Sequence, residues 1–316
     1  MTEDFQPFSS GEARDRFLAH LALLEKSWPI QHQSEMVRTR YGDTFVRIGG
    51  HTDAPPLVLL PGGQSSSLIW RRLIEPLSTR FRTYAIDAIY DEGRSIPTRR
   101  VPTVDDLRLW IDDVLDGLGL GSGITMAGQS YGCYASAEYA LHAPQRLKQL
   151  AWIAPVMIAA PLSNEFVERL MLVTDGKRQS LEEYCRWVMP FIATNYPDEF
   201  DKRIAEILLV RECYGKMFPP VRAAMMSDDD LRRLATPTLL ILGDRDGATS
   251  DASKAVERVM SLMPHINTML VQNAGHDIVA TETNLLAERL LKFFRTNISV
   301  ASVEENAHGV SVVSGR

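Results

Sequence analysis

The residues most able to do chemistry lie in the run Gly128-Gln129-Ser130-Tyr131-Gly132, a serine held between two glycines. It follows a buried-type apolar stretch, Ile124-Thr125-Met126-Ala127, and precedes an amphipathic one over 131–143. Such a run needs this strand–turn–helix setting to present a hydroxyl at the tip of a strained bend, and glycines on either side let strand and helix approach closely. A glycine-rich phosphate cradle is the other reading, but no Lys or further glycine follows. A serine hydroxyl is a weak nucleophile until a base removes its proton. Of the seven histidines, His20, His32, His51, His142 and His265 lie on helices or at edges and His308 lies in the tail. His276 alone follows the last predicted strand in a turn, Gln272-Asn273-Ala274-Gly275-His276-Asp277. The carboxyl end of a strand is where an open α/β sheet presents its site, so His276 is the predicted base.

An imidazole base needs a carboxylate to hold its tautomer and balance its charge. Leu242-Gly243-Asp244-Arg245-Asp246-Gly247 ends the penultimate predicted strand and offers two. Asp246, deeper in the loop, is the expected partner, and Asp244 is expected to cap its own turn. The order Ser130, Asp246, His276 is that of one triad type and not of the chymotrypsin or subtilisin types. The oxyanion of such chemistry needs amide donors. Pro61-Gly62-Gly63-Gln64 follows the predicted strand 57–60, and Gly63, with Gln64 as second choice, is expected to donate alongside the Tyr131 N–H. The chemistry implied is acyl transfer through a serine ester.

The elements that must position these residues are legible as alternating strand and helix. Continuous apolar strands are read at 57–60, 83–86, 124–127, 150–153, 238–242 and 268–271, with amphipathic segments at 68–80, 103–118, 131–143, 250–263 and 281–297 between them. A mainly parallel sheet with helices on both faces follows. A helix within 10–28 and a hairpin of 35–40 with 44–48, turning at Gly42 and Asp43, precede it. From 156 to 235 the rhythm breaks into helix-like stretches such as 181–192 and 199–214, rich in Met and aromatics. The domain reading is an N-terminal helical segment at 1–33, a core of 34–155 and 236–297, a helical cap at 156–235, and a disordered tail at 298–316. Cap residues Trp187, Met189 and Met225 are expected to line an apolar pocket.

Composition narrows the class. With 45% hydrophobic and 23% charged residues the 316-residue chain is expected to be a soluble globular protein. A net charge of -6 with no basic run argues against nucleic acid and anionic membrane. The polar, acidic start lacks the pattern of a secretory signal, and the apolar run 150–162 is too short to span a bilayer. Cys133, Cys185 and Cys213 are too few and scattered for a disulfide framework or structural zinc. A reduced, cytoplasmic protein is expected, with no metal or organic cofactor required by the predicted chemistry.

Four signatures occur in order: Pro61-Gly62-Gly63, Asp87 through Gly93-Arg94-Ser95, Gly128 to Gly132, and Gly243 to Asp246 with Gly275-His276. In these the chain resembles the α/β-hydrolase superfamily over about 36–297. The resemblance implies the α/β-hydrolase fold and a serine hydrolase of the carboxylesterase type. One departure is Pro61 where the family usually has histidine, which removes any bracing of the loop by that side chain. The stretch Asp87-Ala88-Ile89-Tyr90-Asp91-Glu92-Gly93-Arg94-Ser95-Ile96-Pro97 is similar to that of small carboxylesterases and of the serine esterases that open macrolide antibiotics. The substrate expected from this is a small-molecule ester or lactone, bulky and apolar, with a macrolide as one candidate. Acyl transfer, peptidase action and carbon–carbon hydrolysis use the same triad, and a non-catalytic ligand receptor uses the same fold. Dehalogenase and epoxide hydrolase chemistry need an aspartate in place of Ser130.

Overall fold

The computed structural model describes residues 7–214, 221–295 and 311–314. Its strands are β1 (Gln33–Thr39), β2 (Gly42–Gly49), β3 (Pro56–Leu60), β4 (Arg82–Ile86), β5 (Ile96–Pro97), β6 (Ile124–Gln129), β7 (Leu147–Ile153), β8 (Thr238–Gly243), β9 (Ile266–Gln272) and β10 (Ser311–Ser314). They form one sheet in the order β1-β2-β4-β3-β6-β7-β8-β9-β10, with β5 beside β2. The pairings of β2 with β1, β4 and β5 are antiparallel, and all those from β4 to β10 are parallel. The chain steps outward from β3 to β4, then returns to β6 on the other side of β3. The order therefore reverses between β3 and β6, and the crevice beyond their carboxyl ends is the favoured place for a ligand.

The helices are α1 (Gly11–Glu25), α2 (Ile74–Ser78), α3 (Val104–Gly117), α4 (Tyr131–His142), α5 (Asn164–Leu172), α6 (Arg178–Val188), α7 (Pro190–Asn195), α8 (Pro197–Cys213), α9 (Asp228–Arg233), α10 (Ala252–Leu262), α11 (Ile278–Thr281) and α12 (Thr283–Arg295). Both sheet faces are covered, because successive strand residues point to opposite sides. Val58 and Leu60 join a core layer with Trp110 of α3, Tyr134 of α4 and Val259 of α10. Leu57 and Leu59 join the opposite layer with Phe17 of α1, Leu77 of α2 and Leu290 of α12. The N-terminal helix is thus part of the main core. Local signals start the helices: Thr103 and Asp106 form a reciprocal capping box at α3, and Ser10 and Asp251 cap α1 and α10.

Several predicted boundaries move. Gly42 and Asp43 belong to β2, and the hairpin turns at Arg40-Tyr41. Gly42, at φ +130, leaves room for β5, since a Cβ there would lie 2.1 Å from the Ile96 carbonyl oxygen. The helix expected over 68–80 is a 3₁₀ segment, Ser67–Arg72, followed by the short α2, with Pro76 inside the latter's first turn. The helix expected over 181–192 ends at Val188 and restarts as α7, because Pro190 has no N–H to continue the ladder. The helix expected over 281–297 divides into α11 and α12, and its last two residues lie outside the described residues. The tail expected to lack structure supplies β10, a parallel partner of β9. Residues 298–310 and 315–316 of that tail lie outside the described residues.

Between β7 and β8 the chain leaves the sheet as α5 to α9. This insertion has a core of its own, built from Val173, Leu181, Cys185, Ile192, Phe200 and Ile204. The buried Asp87 accounts for another signature. Its carboxylate accepts from the Ser67 amide and hydroxyl and from the Arg94 amide, while Gly93, at φ +154, passes where a Cβ would lie 2.7 Å from it. That stretch closes the β4–β5 loop.

Candidate active site

Ser130 stands between β6 and α4 at φ 51 and ψ -115, a conformation that costs a non-glycine residue about 1–3 kcal/mol. Local packing forces it. A Cβ on Gly128 would meet the Gly132 carbonyl at 2.4 Å, and one on Gly132 would meet the Leu60 carbonyl oxygen at 2.4 Å, so no side chain fits at either position. The Ser130 amide donates to the Ile153 carbonyl of β7, 3.0 Å away, which ties the bend to the sheet. Cys133, three residues past Ser130, is fully buried in α4 with its thiol on the Gly128 and Ile153 carbonyls, and burial raises its pKa.

Three loops at strand carboxyl ends meet here. The Ser130 hydroxyl is 3.0 Å from His276 Nε2, and His276 Nδ1 lies 2.9 and 3.0 Å from the two carboxylate oxygens of Asp246. The Asp246 side chain is wholly buried and also accepts from the Ala248 amide at 2.9 Å. Burial lowers the proton affinity of His276, but the Asp246 charge and hydrogen bond outweigh it, Asp277 adds to them, and the net shift is upward. The Asp246 and His276 loops are laced together. Arg245 N donates to Ala274 O, Asp244 N to Val271 O, and Asn273 N to the Asp244 carboxylate at 2.7 Å. Asp244 therefore holds the neighbouring loop rather than capping its own turn. A Cβ on Gly243 would lie 2.2 Å from the Ala274 carbonyl oxygen, so this loop contact requires glycine.

The turn after β3 abuts the nucleophile. A Cβ on Gly62 would lie 3.2 Å from Ser130 Cβ, and one on Gly63 would lie 4.0 Å from Tyr131 Cβ. Tyr131 is the first residue of α4, where a backbone N–H has no partner within the helix. Gln64, the second choice of donor, is corrected: its amide donates to Asp91 Oδ2 at 2.7 Å and is not available.

The insertion contacts this site. Trp187 is so close to Gly247 that a Cβ there would lie 2.7 Å from its ring, and Ser163 donates to the Gly247 carbonyl at 2.6 Å. Of the predicted pocket residues, Trp187 thus reaches the site. Met189 packs against the insertion's own core, and Met225 is half-buried beside the buried Met226. Phe166, whose ring centre is 6.4 Å from that of His276, was not singled out for the site. Nor was Asp277, which accepts from the Ile192 amide of α7 at 3.4 Å and whose carboxyl is pushed by burial up to about 6. Asp91 and Arg203 also reach the site without having been singled out. Arg203, on α8, donates to the Gln64 carbonyl at 2.5 Å, and burial pushes the carboxyls of Asp91 and Glu92 upward against its pull.

Among the described residues there is no group of His, Cys, Asp and Glu arranged to hold a metal ion, and no helix long and apolar enough to cross a membrane.

Residues 57–288 match the profile of the alpha/beta hydrolase family. The chain is 31% identical to the uncharacterized carboxylesterase nap of Bacillus subtilis over 87% of its own length and 90% of the relative's. To carboxylesterase YbfK of the same organism it is 29% identical, over 93% and 98%. Among solved structures, the naproxen esterase (carboxylesterase NP) of Bacillus subtilis superposes with a TM-score of 0.83 at 29% identity, covering 91% of this chain and 100% of that one. CesB (YbfK) does so with a TM-score of 0.81 at 28% identity and the same coverage. The profile match over most of the chain, together with a relative 31% identical along 90% of its own length, leads to one conclusion: this chain belongs to the alpha/beta hydrolase family.

Proposed function

We propose that the chain hydrolyses carboxylic esters through an acyl-enzyme on Ser130. The observation that carries this reading is the continuous contact from the Ser130 hydroxyl to His276 at 3.0 Å and on to a buried Asp246 at 2.9 Å. His276 Nε2 takes the hydroxyl proton as Ser130 Oγ attacks the ester carbonyl, and the tetrahedral oxyanion is received by the Gly63 and Tyr131 amides. Collapse expels the alcohol, which leaves with the proton from His276, and the acyl group remains on Ser130. Water then gives a proton to His276 and attacks the acyl carbon, the carboxylic acid departs, and the proton returns to Ser130. Asp246 holds Nδ1 protonated throughout and stabilises the imidazolium.

The carboxylesterase relatives support ester hydrolysis at the level of reaction class. The insertion's aromatic rings beside the triad, Phe166 and Trp187, favour a bulky apolar acyl or alcohol group. The substrate panel therefore spans short p-nitrophenyl esters, long-chain esters, naproxen esters (after the naproxen esterase relative) and macrolactones. A fluorophosphonate probe is expected to label Ser130 in the folded wild type and not in Ser130→Ala. Failure to label folded wild-type protein overturns the reading and favours a non-catalytic receptor.

A further inference from the structure

The turn Gly62-Gly63-Gln64 is held in an unfavourable shape. Gln64 has φ 55, in the left-handed region where a side chain is disfavoured. Pro61 contributes no N–H, and the loop has no helix or strand of its own to fix it. A residue in such a conformation persists only where its surroundings over-determine it. Here both ends of the Gln64 backbone are gripped. Its amide donates to Asp91 Oδ2 at 2.7 Å, and its carbonyl accepts from Arg203 Nη2 at 2.5 Å. The grips come from different parts of the fold, Asp91 from the β4–β5 loop and Arg203 from α8 of the insertion. Each is itself steadied. Asp91 Oδ1 accepts from the Glu92 amide at 2.8 Å, and Arg203 Nη1 pairs with Glu206 at 2.9 Å and with the buried Glu92 at 3.4 Å. Both contacts are to the Gln64 backbone and fix the peptide planes on either side of it, while the Ser65 hydroxyl donates to the Gly62 carbonyl at 2.8 Å.

We propose that Asp91 and Arg203 are positioning residues for the oxyanion turn, and that through Arg203 the insertion sets the aim of the Gly63 amide at the carbonyl attacked by Ser130. The inference rests on the ester-hydrolase reading for its catalytic meaning and on the geometry alone for the holding of the turn. Two readouts separate them. In hydrogen exchange, the Gln64 amide is expected to be protected in wild type and to lose at least about tenfold of that protection in Asp91→Ala, with a smaller loss in Arg203→Met. In hydrolysis of p-nitrophenyl esters, both variants are expected to lose about 10- to 100-fold in kcat with KM within about threefold, because the oxyanion contact is stronger in the transition state than in the ground state. Arg203→Lys is expected to recover much of the loss. The double variant is expected to be no worse than the poorer single, since both act on one turn. Unchanged exchange at Gln64 in both folded single variants overturns the proposal whatever the activity. So do kcat values within twofold of an active wild type, or losses confined to KM. A wild type that fails to label at Ser130 overturns the ester-hydrolase reading instead, and the exchange measurement still decides whether the turn is held.

Discussion

Two turns build this site in opposite ways. The bend at Ser130 is fixed by its own neighbours: β6 leads in, α4 leads out, and Gly128 and Gly132 admit the close crossing. The turn at Gly63 has one local tie, the Ser65 hydroxyl donating to the Gly62 carbonyl at 2.8 Å, and is otherwise held by Asp91 and by Arg203, which lies 139 residues from the carbonyl it grips. The first is a rigid product of adjacent sequence. The second is a loop whose shape is lent by the rest of the fold, the insertion included. In the proposed mechanism both turns have to be preorganised before charge develops, so the second turn makes transition-state stabilisation depend on residues distant in sequence.

Substitutions can break or sharpen this contrast. The largest effect is expected from Ser130→Ala, a loss on the order of 10⁶ in kcat with folding intact, checked by ester hydrolysis and circular dichroism. Next is Asp246→Asn, on the order of 10⁴, because an amide cannot balance the imidazolium or enforce its tautomer. In the proposed mechanism His276 must be neutral to take the hydroxyl proton, and its pKa is raised, so activity is expected to fall as pH drops through a midpoint above the usual histidine value of about 6.5. A kcat/KM profile checks this, and removing the Asp246 charge should move the residual midpoint downward.

Gly132→Ala tests the rigid turn itself. Its methyl would lie 2.4 and 2.5 Å from the Leu60 and Pro61 carbonyl oxygens, main-chain atoms with little freedom to yield, so a loss of about 3 kcal/mol or more is expected in denaturant unfolding. A methyl at Gly63 meets only Tyr131 Cβ at 4.0 Å, so Gly63→Ala is expected to cost far less stability than Gly132→Ala in the same assay. The smallest effect is expected from Trp187→Ala, about 1–2 kcal/mol in kcat/KM for bulky esters and little for acetyl esters, measured across the panel.

Much of this protein could be read from neighbouring residues. Each parallel strand from β3 to β9 declared itself as an unbroken apolar run, since a strand covered on both faces has no polar side to alternate. The serine bend was legible because strand, glycines and helix are consecutive, and His276 and Asp246 because each ends a strand whose carboxyl edge faces the crevice. Turn types and helix breaks were less legible. The hairpin turns at Arg40-Tyr41 without glycine, and Pro190 divides one apolar period into two helices.

Side-chain partners across the fold left no trace in spacing. Nothing periodic links Arg203 on α8, Asp91 in the β4–β5 loop, or Phe166 on α5 to Ser130, and nothing near Asp244 announces that it serves Asn273 instead of its own turn. Sequence alone determined which strands, which bend and which three loop residues this protein has, because those follow from covalent adjacency and from the burial pattern each segment carries. Tertiary structure decided which distant carboxylate, guanidinium and ring close on the oxyanion turn and the histidine. Such contacts depend on how far one element is shifted and rotated against another, and that is settled only when the insertion packs onto the sheet.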